Sequence, residues 1–283
     1  AFAIAGMIAA NQINQLIWEA MTGKKFDVVI NKAVQLSDSD AMKVMQAVAA
    51  LLGFLIPTII TASMLSRRPF QLMGLSSGAK INQTGVSILI ILTAMAISVF
   101  ALAYLNRQIP LPTDWKITAD QWEADYNRQA QAILNLKDGK DYFIALIVMG
   151  FLPALCEEAL FRGGLQNFLT RSTGMPWLSI IVVSVIFSAV HASFYGFLPR
   201  IFLGAVLGAI FHYSGKLWLS ILAHFINNGL ALTLLYFSVK QGRSMEETMR
   251  QDNTSWWGIL LVPALVALIM HFRKISTPVN SLR

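Results

Sequence analysis

Charge is what this sequence has least of. Only 13% of its 283 residues are Asp, Glu, Lys or Arg, while 55% are hydrophobic. Soluble domains carry about 25% charged residues, so an ordinary soluble domain is excluded. Cysteine is nearly absent as well. The single Cys156 excludes an intramolecular disulfide and any multi-cysteine metal site. There is no Gly-x-Ser-x-Gly elbow, no HExxH pair, no aspartate inside the core apolar runs, no tandem repeat and no low-complexity tract. A serine elbow, an HExxH zinc centre and an aspartyl dyad are therefore not the chemistry to look for.

What the sequence has instead is long apolar runs. Runs of roughly 17–25 residues, enough to cross a ~30 Å hydrocarbon core, lie near 44–65, 85–105, 142–162, 177–195, 197–213, 217–237 and 255–272. A weaker one over 1–18 is diluted by Asn11, Gln12, Asn14 and Gln15. The expected fold is all-α: a polytopic transmembrane helical bundle of about eight spans, forming a single membrane domain over 1–283. The chain opens at Ala1 rather than Met, which fits a processed or trimmed N-terminus, and no signal peptide is assigned.

The net charge of +7 does not point to nucleic acid. Its basic residues sit in loops, among them Arg67, Arg68, Lys80, Arg171, Lys216, Arg273 and Lys274, as the positive-inside rule requires of a membrane protein. The partner they imply is the lipid bilayer. With Arg67 and Arg68 on the cytoplasmic side and eight spans, both termini are expected in the cytoplasm and the longest loop, 106–141, outside. A bacterial cytoplasmic (inner) membrane is the expected location. The basic connector 64–85 carries Gly and Ser. In the 106–141 loop, Pro110 and Pro112 break any entering helix. After Thr118, Trp122, Tyr126, Ala130 and Ile133 recur at helical spacing with Glu123, Asp125 and Arg128 between them. That is the pattern of a short helix lying on the membrane surface, and a solvated linker helix would show it too. Gly204 and Gly208 form a Gly-xxx-Gly pair, read as close helix packing.

Ionisable residues inside a membrane are costly and mark functional sites by default. Three clusters stand out. In "GFLPALCEEALFRGGLQNFL", Glu158 and Arg162 are four apart and share a helix face. Glu157 is rotated about 100° away. Glu158–Arg162 is thus expected to be a structural ion pair and Glu157 the free carboxylate, able to act as a general base on water. A glutamate pair at a helix end touching headgroups is the blander alternative. In "SVIFSAVHASF", Phe187 and His191 share a face, though a lone histidine in an apolar helix is more often a core residue. In "SILAHFINNGLAL", His224 and Asn228 share a face and can donate two hydrogen bonds to one oxyanion; polar glue between membrane helices would look the same. Together the clusters hold a carboxylate, a pairing arginine, two histidines and an amide, the parts for amide hydrolysis. His212 and His271 lie at span ends and are expected to be interfacial. Cys156 points to a different helix face from Glu157.

These residues resemble the CPBP family of intramembrane proteases, which includes the type II CAAX prenyl endopeptidases and bacterial relatives tied to bacteriocin self-immunity. The family pattern EExxxR, FxxxH, HxxxN/D reads here as Glu157-Glu158-Ala-Leu-Phe-Arg162, Phe187-Ser-Ala-Val-His191 and His224-Phe-Ile-Asn-Asn228. The segment "HASFYGFLPRIFLGAVLGAIFHYSGKLWLSILAHFINN" is also similar to the family. The resemblance covers roughly 142–237, which would be the catalytic core. It implies a membrane-embedded endopeptidase acting on membrane-embedded or membrane-associated peptides, including CAAX-like C-termini. In it Glu157 would activate water with His191 helping to hold it, His224 and Asn228 would stabilise the oxyanion, and Glu158 and Arg162 would support the site, with Phe187 packed beside it. The family is often described as metalloproteases, and Glu157, His191 and His224 would supply a three-ligand zinc set. A metal-free glutamate–histidine mechanism requires no further ligand, so the expectation is no required cofactor, with zinc as the alternative. The rival functions are a non-catalytic scaffold or bacteriocin-immunity factor binding a partner helix, and a transporter, which would show related halves or paired broken helices that this sequence lacks.

Overall fold

The computed structural model describes residues 2–30, 34–75, 80–249 and 255–276. Among them no strand occurs. The principal helices are α1 (Phe2–Thr22), α2 (Leu36–Leu65), α3 (Ile81–Arg107), α4 (Thr113–Ile133), α5 (Gly139–Thr173), α6 (Pro176–Ala189), α7 (Phe197–Ser214), α8 (Leu217–Lys240) and α9 (Trp256–Ile275). Six of them, α2, α3, α5, α7, α8 and α9, are long and apolar enough to cross a membrane. The helical polytopic bundle is borne out, with a smaller number of full spans than eight. The polar amides of α1 take it out of that group, and α6 is only 14 residues long. Part of the basic connector (76–79) and the termini Ala1 and 277–283 lie outside the described residues.

Proline inside a helix lacks an N–H and collides with the carbonyl four residues back. Pro57 in α2 and Pro153 in α5 each follow a stretch of wide π-helical turns, Leu51–Leu55 and Leu146–Phe151, which open the backbone just where the ring must fit. α5 nevertheless runs on through Thr173, past the extension to about Leu169 expected from the motif spacing.

α5 is the hub of the bundle. Ala159 packs with Ala62 of α2, Phe211 of α7 and Leu217 and Ile221 of α8. Phe161 packs with Val183 and Phe187 of α6. A second apolar layer joins α3, α7, α8 and α9 through Ile90, Ile97, Leu207, Ile210, Leu219 and Phe272. On the outside, Leu92, Ile181, Val185, Leu234 and Met270 are exposed, the expected surface of a bundle whose solvent is hydrocarbon.

In lipid the apolar effect gives no preference for helix over tail, so close packing and interhelical hydrogen bonds must hold the helices together. The Gly-xxx-Gly pair does both here. A Cβ at Gly204 would lie 3.1 Å from Ser184 of α6, and one at Gly208 would lie 3.1 Å from Ile180. The bare backbone leaves two carbonyls open to α5: Arg162 Nη2 donates to Gly204 O at 3.0 Å and Gln166 Nε2 to Gly208 O at 3.0 Å.

The basic loops gather at one end of the bundle. There Asn167 donates to Leu72 O, Leu217 N donates to Gly74 O, Trp177 meets His212 and Tyr213 edge-on, and Arg273 lies over Tyr213. The amphipathic α4 closes the opposite end, where Asn135 donates to Leu36 O and Lys240 to Lys137 O. Replacing Gly204 by Val should overpack α7 against Ser184 of α6. We expect a loss of about 1–3 kcal/mol, visible as a lowered thermal midpoint in detergent, together with a weakened Arg162–Gly204 bond.

Candidate active site

Glu157 and Glu158 lie midway along α5, immediately before a second π-helical stretch, Ala159–Gln166, that contains Arg162. Such turns are uncommon and frequently mark functional sites. Consecutive residues on a helix point about 100° apart, and the two carboxylates accordingly meet different surroundings. Glu158 and Arg162 are fully buried, with Oε1 of Glu158 3.2 Å from Nη1 of Arg162. That approach has ion-pair distance without hydrogen-bond alignment, since Nη1 makes no hydrogen bond among the described residues. Arg162 gains its directional bond from Gly204 O, and its guanidinium lies 4.9 Å from the centre of the Phe187 ring.

α8 delivers His224 between the two glutamates. Its Nδ1 lies 2.9 Å from Glu158 Oε1. A carboxylate can only accept there, so Nδ1 carries the proton. Nε2 then faces Glu157 Oε2 at 3.8 Å, too far for a direct hydrogen bond but within reach of one shared oxygen. Glu157 keeps 14% of its side chain exposed while Glu158 keeps none, so of the pair only Glu157 is accessible. Asn228 sits one turn beyond His224, its Oδ1 accepting from Asn227.

α6 ends at Ala189, short of the expected 195, because the chain turns there. Ala192 adopts φ 47, a left-handed conformation that costs a non-glycine residue roughly 1–2 kcal/mol. This turn carries His191, whose Nδ1 lies 2.7 Å from Phe187 O. The Phe187 ring gathers the site: centroid distances are 5.0 Å to His191, 5.9 Å to His224 and 5.2 Å to Phe161. The structure thus brings Glu157, Glu158, Arg162 and His224 into direct contact and joins His191 to them across Phe187. Among the described residues, neither His191 nor Asn228 hydrogen-bonds to the glutamates.

Among the described residues no three His, Cys, Asp or Glu side chains gather to hold an ion. Nδ1 of His191 and Nδ1 of His224 face a backbone carbonyl and a carboxylate, which leaves Nε2 of each ring as the atom that could meet a metal or a water. Cys156 is buried. His212 stacks among Trp177 and Tyr213 at the basic end, away from the site.

Several residues around the His191 turn were not legible as site residues. Ser193 donates to Glu123 of α4 at 2.8 Å and Tyr195 to Asp120 at 2.6 Å. Asn106 of α3 donates to Phe194 O and accepts from Leu198 N. Asp120, as acceptor, pushes the Tyr195 phenol up to about 12, with partial burial adding to it, so that proton stays on Tyr195 at neutral pH. No sequence motif links residues this far apart.

Residues 139–230 match the family model described as type II CAAX prenyl endopeptidase Rce1-like. No curated protein and no solved structure matches the chain. The matched segment runs from the start of α5 to just past Asn228, and over it the likeness to the CPBP intramembrane proteases holds. That likeness, with the apolar helices, supports an integral membrane protein of protease type.

The Glu158–Arg162 pair generates a stability prediction. Removing one partner strands the other charge, which for buried pairs costs about 3–5 kcal/mol. Arg162→Leu should lower the thermal midpoint sharply, and the double variant Glu158→Gln/Arg162→Leu should recover part of the loss. Equal midpoints for the single and double variants would show that the two side chains do not act as a pair.

Proposed function

We propose that this protein is an intramembrane endopeptidase in which Glu157 activates a water molecule against a peptide bond. The observation that carries the reading is the division of the glutamates: Glu158 is committed to Arg162 and His224, while Glu157 is the accessible one and faces His224 Nε2. A water bound at Glu157 Oε2 would sit ~2.8 Å from it. Glu157 takes a proton from that water, and the hydroxide oxygen bonds to the scissile carbonyl carbon. As the resulting tetrahedral intermediate collapses, the C–N bond breaks and the proton held by Glu157 passes to the departing amine.

The carbonyl oxygen gathers negative charge on the way. His224 and Asn228, one turn apart on α8, are the donors we assign to it. With Nδ1–H given to Glu158, Nε2 can donate only from a doubly protonated ring, which would face a carboxylate at each nitrogen. His191 is assigned to the water. Its Nδ1 is held at Phe187 O, which leaves Nε2 as the working atom. Glu158 and Arg162 hold His224 in place. We assign the steps to these side chains alone, with no step passing through zinc.

The substrate we propose is a membrane-embedded or membrane-associated peptide, including CAAX-like C-termini, on the strength of the family likeness. Taking the basic end as cytoplasmic, the α4 end would face outward, in a bacterial inner membrane with both termini cytoplasmic.

Cleavage of a fluorogenic or membrane-peptide library by the purified chain tests the reading. Glu157→Gln should lower kcat by about 10²–10⁴-fold, the usual contribution of a general base, with an unchanged thermal midpoint. Wild-type activity should survive a strong chelator. Loss of activity with chelator would move the mechanism to a metal, and a wild type inert on every peptide would favour a scaffold that binds a partner helix.

A further inference from the structure

The turn that carries His191 follows the last residue of α6 and passes through a left-handed Ala192. His191 N and Ala192 N donate back to Ser188 O and Ala189 O, Ser188 Oγ donates to Phe197 O, and the His191 ring has one hydrogen bond, to Phe187 O. Beyond Ala192 the turn is also held by contacts from other elements. Ser193, buried, donates to Glu123 Oε2 at 2.8 Å and accepts from Gly196 N at 3.3 Å. Arg200 of α7 donates to Ser193 O at 3.4 Å and lies over the Tyr126 ring of α4 at 4.9 Å. A Cβ on Gly196 would sit 2.5 Å from the Arg200 guanidinium carbon, so glycine there lets the guanidinium lie across the turn. On the other side, Asn106 holds Phe194 O and Leu198 N.

Burial decides which of these contacts matters most. The Tyr195–Asp120 bond is solvent-exposed, and exposed polar pairs contribute little. The Ser193–Glu123 bond joins a buried hydroxyl to a half-buried carboxylate, and hydrogen bonds to charged acceptors are the stronger class. It is also the contact nearest to His191, two residues away along a strained backbone.

We propose that α4 is a brace for the candidate site and that Glu123 is a positioning residue, acting through Ser193 to hold the strained turn that presents His191. The polar insert between α3 and α5 is then part of the working site. Its amphipathic helix lies across the turn and sets the orientation of a side chain that it does not itself touch. The catalytic consequence rests on the peptidase reading given above, but the structural one does not.

The first test therefore uses no substrate. Diethyl pyrocarbonate modifies accessible, unprotonated imidazoles, and peptide mass spectrometry of the full chain in detergent reads its rate at each histidine. Breaking the brace from either side, with Glu123→Ala or Ser193→Ala, should raise the rate at His191 about tenfold, the opening expected on losing one charge-assisted hydrogen bond. The rate at His212, half-buried at the far end of α7, should not change. Glu123→Gln, whose amide oxygen can still accept from Ser193, should restore most of the protection. An unchanged rate at His191 in both variants would overturn the brace, and so would an equal rise at His212.

In a cleavage assay, Glu123→Ala should lower kcat with KM unchanged, and the loss should vanish in a chain already carrying His191→Ala. A labelling shift with no change in kcat of an active enzyme would overturn the positioning role. A labelling shift in a chain that cleaves nothing would leave the brace standing and reject the peptidase reading.

Discussion

The buried pair of Glu158 and Arg162 is the constraint around which this bundle is arranged. Moving two charges out of water costs several kcal/mol per ion even after relaxation, and the surrounding hydrocarbon offers nothing in return. The cost is offset only if the neighbouring helices supply partners, and here each of them does. α8 contributes His224 to Glu158, α7 contributes the Gly204 carbonyl to Arg162, and α6 contributes the face of Phe187. Four helices are thereby tied to one point. The absence of a side chain at Gly204 lets α7 lie close against Ser184 of α6, while its carbonyl serves the guanidinium.

The depth of the site follows from helix lengths. α6 starts at the basic end and has 14 residues, so at 1.5 Å per residue it rises ~21 Å. Glu158 lies ~22 Å back along α5 from Thr173 by the same measure. His191, two residues past the end of α6, therefore lies at about the level of the glutamates. Stopping a helix at that depth exposes backbone groups that hydrocarbon cannot satisfy. The turn that follows must then find partners in protein: Asn106 at the end of α3 takes Phe194 O and Leu198 N, Arg200 of α7 takes Ser193 O, and Glu123 of α4 holds the Ser193 hydroxyl. The external brace is thus the structural consequence of an early helix end.

Much of this could be read in the sequence, for definable reasons. The scarcity of charge made the membrane class plain, and the i,i+4 spacing of Glu158 and Arg162 was sufficient to pair them, because both lie on one helix with known geometry. The same argument separated Glu157 from Glu158. What could not be read was anything that depends on a second helix. Spacing says nothing of which glutamate His224 approaches, and it bridges both. The polar stretch around Asp38, Ser39 and Lys43 concealed the true start of α2, since those residues are buried in spite of their polarity. The early end of α6 was hidden because "VHASF" continues an apolar run, and the left-handed Ala192 that breaks it has no residue signature of the kind glycine or asparagine would give.

The scarcity of polar partners also explains how one set of contacts can build the fold and orient the chemistry. In water a misplaced histidine or carboxylate is solvated and the fold tolerates it. Within a bundle packed in lipid, a buried polar group left without a protein partner is costly, so a group that finds one also has its direction fixed. The hydrogen bond from His224 Nδ1 to Glu158 satisfies a buried acceptor and, in doing so, turns Nε2 toward Glu157. The bond from Ser193 to Glu123 satisfies a buried hydroxyl and fixes the turn beside His191. Of the polar side chains in the cluster, Glu157 is the one left with an open side and no hydrogen bond among the described residues. Glu158 Oε2 and Arg162 Nε and Nη1 also lack hydrogen-bond partners among the described residues but are fully buried, so the accessible free oxygen is that of Glu157, which is what a base acting on water would require.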